Sequence, residues 1–304
     1  MKRKVIQIAD STQLISIPRP WSKQYNIKKG DELEVTIKGN RLEISTDSSK
    51  DLSVENLDIS KLGSMILRCL MALYKRGVDE IHIIYDNEKH IEIIHKALGK
   101  EAAGYEIIDQ AKGRCTIKYV TGELGDFDSI LRRTFLVLVN MSNETYDAID
   151  KKSFDRLSNV AFLEEANNRF TTACRRLMNK KGYDVNHSIG ALYYIIEELE
   201  NIADYYKYLC LYLNKKGNEK TKISKESMEL LRKTNLSLKL FYECYYKMDK
   251  DKMVQIGELR KEVIDEGLDL LTKKQGEEAV LIHHTLTIMQ KIFCLVGPYL
   301  VIKL

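Results

Sequence analysis

Residues 188–213, SIGALYYIIEELENIADYYKYLCLYL, set the reading of the whole chain. Apolar side chains fall at Ile189, Leu192, Ile196, Leu199, Ala203, Tyr206, Cys210 and Leu213, the alternation of three and four that marks one seam of a bundle helix. A second row, Ile195, Ile202 and Leu209, widens that seam. On its flank, Glu197, Glu200 and Asp204 lie within about 60° of one another around the helix axis. Carboxylates stacked this way repel by a few tenths of a kcal/mol per pair, so the stripe predicts water, a basic neighbour or a bound cation beside it.

Working outward, 304 residues provide for two or three domains, and 30% charged with 44% hydrophobic residues describes a soluble, helix-rich globular chain. Pro18 and Pro20 punctuate the start and Pro298 interrupts the last helix, leaving the chain between them open to long helices. A formal net charge of +4 is too small to make the whole molecule a polyanion binder. Within residues 1–23, however, Lys2, Arg3, Lys4, Arg19 and Lys23 face only Asp10, so positive potential concentrates there. The six cysteines form no C-x-x-C pair and read as reduced core thiols of a cytoplasmic protein. No apolar run follows the N-terminal charges, so no signal peptide is expected. The apolar run at 292–302 is about half the length a bilayer span needs, so no membrane insertion is expected.

Residues 1–48 read as a small strand-rich domain. Val5, Ile6 and Ile8 form one strand and Leu14, Ile15 and Ile17 a second, with a polar turn at Asp10-Ser11-Thr12. Pro20 starts a short helix through Tyr25, and Lys29-Gly30-Asp31 makes a turn. Leu33, Val35 and Ile37 then alternate with polar residues, and a turn at Lys38-Gly39-Asn40 leads to Leu42 and Ile44. About forty residues of strand cannot bury a core alone, so a partner is required. The blocks Ser16-Ile17-Pro18-Arg19 and Lys28-Lys29-Gly30-Asp31-Glu32-Leu33 resemble, in order and separation, the AbrB/MazE/SpoVT family of swapped-hairpin DNA-binding domains. The resemblance implies a homodimer whose chains exchange hairpins into one β-barrel. It also implies DNA contacts from Lys4, Arg19 and Lys23, with Lys2 and Arg3 as an arm to the phosphates.

Residues 49–125 read as a small α+β linking module: a polar linker at 47–50, a helix over 59–75 capped by Gly77, a strand at 80–85, a helix at 87–98, and a hairpin around Lys112-Gly113. His82, His90 and His95 do not share a face and read as structural or surface histidines.

Residues 126–304 read as an all-α bundle, with helices near 128–150, 153–180, 188–214, 224–248, 251–275 and 277–304. The run EELENIADY at 197–205 resembles the signature of PhoU-type phosphate-uptake regulators, with Glu200 and Asp204 as the matching acidic pair. That family's fold is two three-helix repeats, which agrees with the helix count. The whole order resembles archaeal-type PhoU-like regulators carrying an N-terminal AbrB-like domain. The run EEANNRF at 164–170 is similar to the facing acidic helix of that family, so the resemblance implies one oxygen-rich site of Glu197, Glu200, Asp204, Glu165 and Asn168, suited to a divalent or iron-type metal ion. Arg169 is the alternative neutraliser of the stripe. The last helix lacks the second acidic pair, so a second cluster is not expected.

No nucleophile–base pair, grouped-glycine phosphate loop or catalytic metal motif is present, and no enzyme is expected. The leading expectation is a dimeric DNA-binding regulator of phosphate uptake, with the bundle as sensing or relay domain. The alternative is a phosphate-transport accessory protein acting on transporter or signalling components, its hairpin domain only dimerising. A third is an antitoxin-like role.

Overall fold

The structure, a computed structural model, describes residues 2–8, 12–38, 41–46, 52–120, 125–181 and 188–304. The turns expected around Asp10-Ser11 and Gly39-Asn40 and the linker at 47–50 lie outside these residues. The chain divides into two compact units, 1–52 and 53–304.

The first unit holds β1 (Val5–Ile8) paired antiparallel with β2 (Thr12–Ile15), the short helix α1 (Arg19–Gln24), and β3 (Leu33–Lys38) paired antiparallel with β4 (Arg41–Thr46). Pro20 sits in the first turn of α1, where its missing N–H costs nothing. Gly30 takes φ 98°, and the Asp31 carboxylate accepts the Lys28 N–H at 2.7 Å, which closes the turn before β3. The register Val35↔Ile44 and Ile37↔Leu42 puts the alternating apolar residues of β3 and β4 on one face. The two hairpins remain separate two-stranded sheets. Within one chain, Val5, Ile6, Ile8, Leu14, Ile15, Val35, Ile37 and Leu42 are between 45% and 75% exposed.

The second unit begins with β5 (Val54–Asp58), a 3₁₀ turn (Gly63–Met65), α2 (Ile66–Arg76), β6 (Glu80–Ile84), α3 (Lys89–Lys100), β7 (Tyr105–Ala111) and β8 (Arg114–Tyr119). The strands make one mixed sheet in the order β5-β6-β8-β7, with β5 parallel to β6. Ile59, Ile66, Leu70, Tyr74, Ile81, Ile83, Ile94 and Ile117 form the core between this sheet and α2 and α3. The α+β reading of this segment and its hairpin at Lys112-Gly113 agree with the structure. Two details are corrected. The helix expected from 59 begins only at Ile66, and Val54–Asp58 is an unforeseen strand. That strand alternates weakly, with Leu57 as its one apolar residue packed on the core, and it is held as a parallel edge by β6, a pairing no local pattern reveals.

The helical part follows as α4 (Phe127–Asp150), a 3₁₀ turn (Phe154–Arg156), α5 (Leu157–Ala161), α6 (Leu163–Lys181), α7 (Ile189–Lys216), α8 (Lys225–Tyr246), α9 (Lys250–Leu271), α10 (Gly276–Cys294) and α11 (Val296–Lys303). The opening stretch is α7, the central helix, which packs on α4, α5, α6, α10 and α11. Its predicted seam is fully buried from Leu192 to Leu213, with Ile195, Ile202 and Leu209 beside it; only Ile189, at the first turn, is exposed. The helix expected over 153–180 is instead divided at Phe162, whose N–H reaches back to the Asn159 carbonyl. The last helix breaks at Leu295, because Pro298 has no N–H for the Cys294 carbonyl and its ring crowds that group. Residues 276–303 have the length and apolarity of a membrane span, yet Leu281, Ile282, Ile288, Met289 and Ile292 are buried in the bundle.

Module and bundle are joined at Arg176, an α6 side chain with 1% exposure. Its guanidinium donates to the Tyr74 and Val78 carbonyls at 3.0 and 2.7 Å and to the Asp79 carboxylate at 3.1 Å. It also lies 4.9, 5.4 and 4.5 Å from the ring centres of Tyr74, Tyr105 and Tyr119. Asp79 is further bound by Lys180 and by the Ser53 N–H. Gly77 ends α2 at φ 94°, and a Cβ there would sit 3.1 Å from Lys180 Cβ.

Candidate functional site

Two groups of residues carry functional potential, one in each unit. In the first, Lys2, Arg3 and Lys4 precede β1, Arg19 opens α1 and Lys23 lies four residues on, on the same helix face. All are exposed, and among the described residues none forms a salt bridge. Free guanidinium and ammonium groups on a surface can neutralise phosphates, and Arg19 and Lys23 on the rigid turn of α1 can position them.

In the second unit, α6 and α7 bring the acidic stripe against cations. Arg175 has no exposed surface; its guanidinium is paired with Glu200, and its Nη1 lies 3.0 Å from Glu197 Oε1. Thr171 donates to Glu200 at 2.7 Å. Lys207 bridges Asp204 at 2.6 Å and Glu164 at 2.7 Å, and Asn168 donates to Glu164 at 2.6 Å. Glu165 points elsewhere, to Lys100 of α3 at 2.6 Å. Of the five residues expected at a metal, Glu200, Asp204 and Asn168 therefore line one site, Glu197 flanks it through Arg175, and Glu165 belongs to a different contact. The basic neighbour is not Arg169, which is exposed, but Arg175 and Lys207.

This array fits a metal poorly. Each stripe carboxylate already holds a cation, so an incoming ion would have to displace Arg175 or Lys207 and strand it. Among the described residues, no group of three or more His, Cys, Asp or Glu is placed to hold a metal.

Glu164, Asn168, Glu200, Asp204, Lys207 and Tyr208 form one wall of a cleft of about 440 Å³. Its other wall is one face of α2, Leu67, Arg68, Met71, Ala72 and Lys75, together with Ser64 and Glu101. Burial pushes the Glu164 carboxyl up, against its bonds to Lys207. Burial, and then the Glu200 charge, likewise raise Glu101. The Lys75 ammonium is pulled down by burial and then by Arg175. Lys207 is raised: burial opposes its charge, but its bonds to Asp204 and Glu164 outweigh that cost.

Sequence reading missed Arg175, Glu164 and Lys207 as parts of this array. Residues 164, 168, 171 and 175 follow the four-three-four spacing of one helix face, so the signal existed on α6. Nothing local pointed to Arg68, Lys75 and Glu101, which reach the cleft only because α2 docks on α6.

Residues 6–51 match the family model described as antidote–toxin recognition MazE, bacterial antitoxin. No curated protein and no solved structure matches the chain. The first unit of this protein thus carries a MazE/AbrB-type antitoxin domain, formed by the same two hairpins and short helix that bear the exposed basic residues.

Proposed function

We propose that this protein is a cytoplasmic, dimeric DNA-binding regulator whose first unit holds DNA and whose second unit supplies the regulatory input. The observation that carries the reading is the unpaired apolar face of the hairpins. A two-stranded hairpin is marginal in water. Burying a side chain such as Ile37 or Leu42 returns about 1.5–3 kcal/mol, so a second copy that interleaves with these hairpins turns two unstable ribbons into one core. Hairpin exchange into a closed barrel satisfies this need and doubles the basic surface of Lys2, Arg3, Lys4, Arg19 and Lys23.

The test is binding of the purified protein to DNA from its own promoter and to random DNA across a salt series, for wild type and Arg19→Ala. The expected outcome is promoter binding at least a hundredfold tighter than random binding, weakened by Arg19→Ala. Equal, steeply salt-dependent binding to both DNAs would sink the reading.

A second reading is favoured by the matching family model itself: the first unit pairs with a toxin, and DNA binding regulates that pair. Co-expression that relieves growth arrest by a neighbouring toxin gene would establish it. The finer assignment, a PhoU-like bundle of two three-helix repeats relaying phosphate status to transporter or signalling components, rests on the resemblance of residues 197–205 and on helix order. Its measurement is whether promoter occupancy responds to phosphate supply in cells, and an unchanged occupancy would remove it. The array of Arg175 and Lys207 supports a bundle that works without a metal ion.

A further inference from the structure

The cleft between α2 and the α6–α7 wall is lined by charges of both signs. Among the described residues, Arg68, Lys75 and Glu101 line the cleft and form no salt bridge; Lys75 and Glu101 are half-buried and attract one another without touching. Asn168 directs its amide nitrogen to Glu164 and leaves its Oδ1 buried without a donor. Leu67, Met71 and Ala72 form an apolar strip on the α2 wall.

These features restrict the chemistry of an occupant. A simple anion would answer Arg68 and Lys75 but face Glu101, Glu164, Glu200 and Asp204. A simple cation would answer Glu101 but face Arg68 and Lys75 beside it. A molecule carrying both signs answers Arg68 and Lys75 with one end and Glu101 with the other.

We propose that this cleft binds a small zwitterion with a short aliphatic body, its acidic group held by Arg68 and Lys75 and its amine by Glu101. The aliphatic body lies along Leu67, Met71 and Ala72. Because it binds the folded state alone, the ligand stabilises that state. The proposal goes beyond the DNA-binding reading and is independent of it.

The experiment is calorimetric titration of the full chain, without DNA and at low salt, with glycine, β-alanine, 4-aminobutyrate, 6-aminohexanoate and leucine. Butylamine, butyrate and inorganic phosphate serve as single-charge controls. At least one zwitterion is expected to bind saturably and at least tenfold tighter than every control. Lys75→Met and Glu101→Gln should each weaken it at least tenfold. Lys75→Met should keep the cooperative thermal transition and helical signal of the ligand-free protein, which shows that the variant folds. No saturable zwitterion binding, control binding of equal strength, or affinity unchanged in both variants would overturn the proposal. Since no DNA is present, none of these outcomes bears on the function of the first unit.

Discussion

Arg175 shows how one side chain settles a question that spacing leaves open. A fully buried guanidinium needs counter-charge, and Glu200 with Glu197 supplies it, so the acidic stripe of α7 is half of an ion-pair array. Glu200→Ala strips Arg175 of its main partner and is expected to destabilise the second unit by about 3 kcal/mol, the lower part of the range for breaking a buried pair, since Glu200 is partly exposed. Urea unfolding followed by circular dichroism measures this. Mg²⁺ or Mn²⁺ at millimolar concentration should leave the melting temperature of the wild type unchanged, because Arg175 and Lys207 already occupy the carboxylates; a clear rise would restore the metal reading. His284 offers a pH test. Burial, and then neighbouring His283, pull its pKa down to about 4 from the usual 6.5, so it stays neutral in the fold while the unfolded chain takes up a proton. The stability it contributes is therefore present above about pH 6.5 and is lost as pH falls towards 4. Allowing for partial exposure, wild type should lose about 1–2 kcal/mol more than His284→Leu between pH 7 and pH 4.5, as read from paired unfolding curves.

At the scale of elements, the β3–β4 hairpin and the α2–α6 junction make different demands. The hairpin puts Val35, Ile37 and Leu42 on one face, each more than half exposed. Ile37→Asp introduces a charge onto that face and is expected to convert the proposed dimer to monomer at micromolar concentration, seen by analytical ultracentrifugation, while the helical signal of the second unit persists. The α2–α6 junction is closed instead. Arg176 is enclosed by three tyrosine rings, two carbonyls and Asp79, so Arg176→Ala leaves Asp79 with Lys180 and the Ser53 N–H and opens a void among the rings. A loss of about 3–5 kcal/mol is expected, and the denaturant transition of the second unit should broaden or split as module and bundle uncouple. Gly77→Ala at the same junction should cost at least about 1 kcal/mol, from its left-handed backbone and its close approach to Lys180.

For the whole molecule, the division at residues 52 and 53 separates two solutions to core building. Residues 53–304 bury their own apolar surface in a sheet-and-helix core and a helical core. The described residues of the first unit leave Val5, Ile6, Ile8, Leu14, Ile15, Val35, Ile37 and Leu42 exposed, the surface that the proposed second chain would cover. Limited proteolysis should accordingly release a stable fragment beginning near residue 53, monomeric in solution and retaining nearly all helical signal; a fragment that remains dimeric would move the dimer contact into the second unit.

The periodicity of residues 188–213 determined by itself that α7 would be a long helix with a buried seam, because a side-chain period of three and four leaves one backbone geometry in which those residues share a face. Period-two alternation in the same way determined β3, β4 and their apolar face, and Gly30, Gly77 and Pro298 marked a turn, a cap and a break through their own backbone restrictions. Only tertiary structure decided what stands opposite each face. The edge strand β5 exists because β6 offers it a ladder, the acidic stripe of α7 meets Arg175 because α6 packs beside it, and Lys75, Arg68 and Glu101 enter the cleft because Arg176 docks the module on the bundle. The reason is range: helical and strand periods are local properties of the chain, whereas the partner of a charge or an edge is set by segments tens of residues away, brought near only when the cores close.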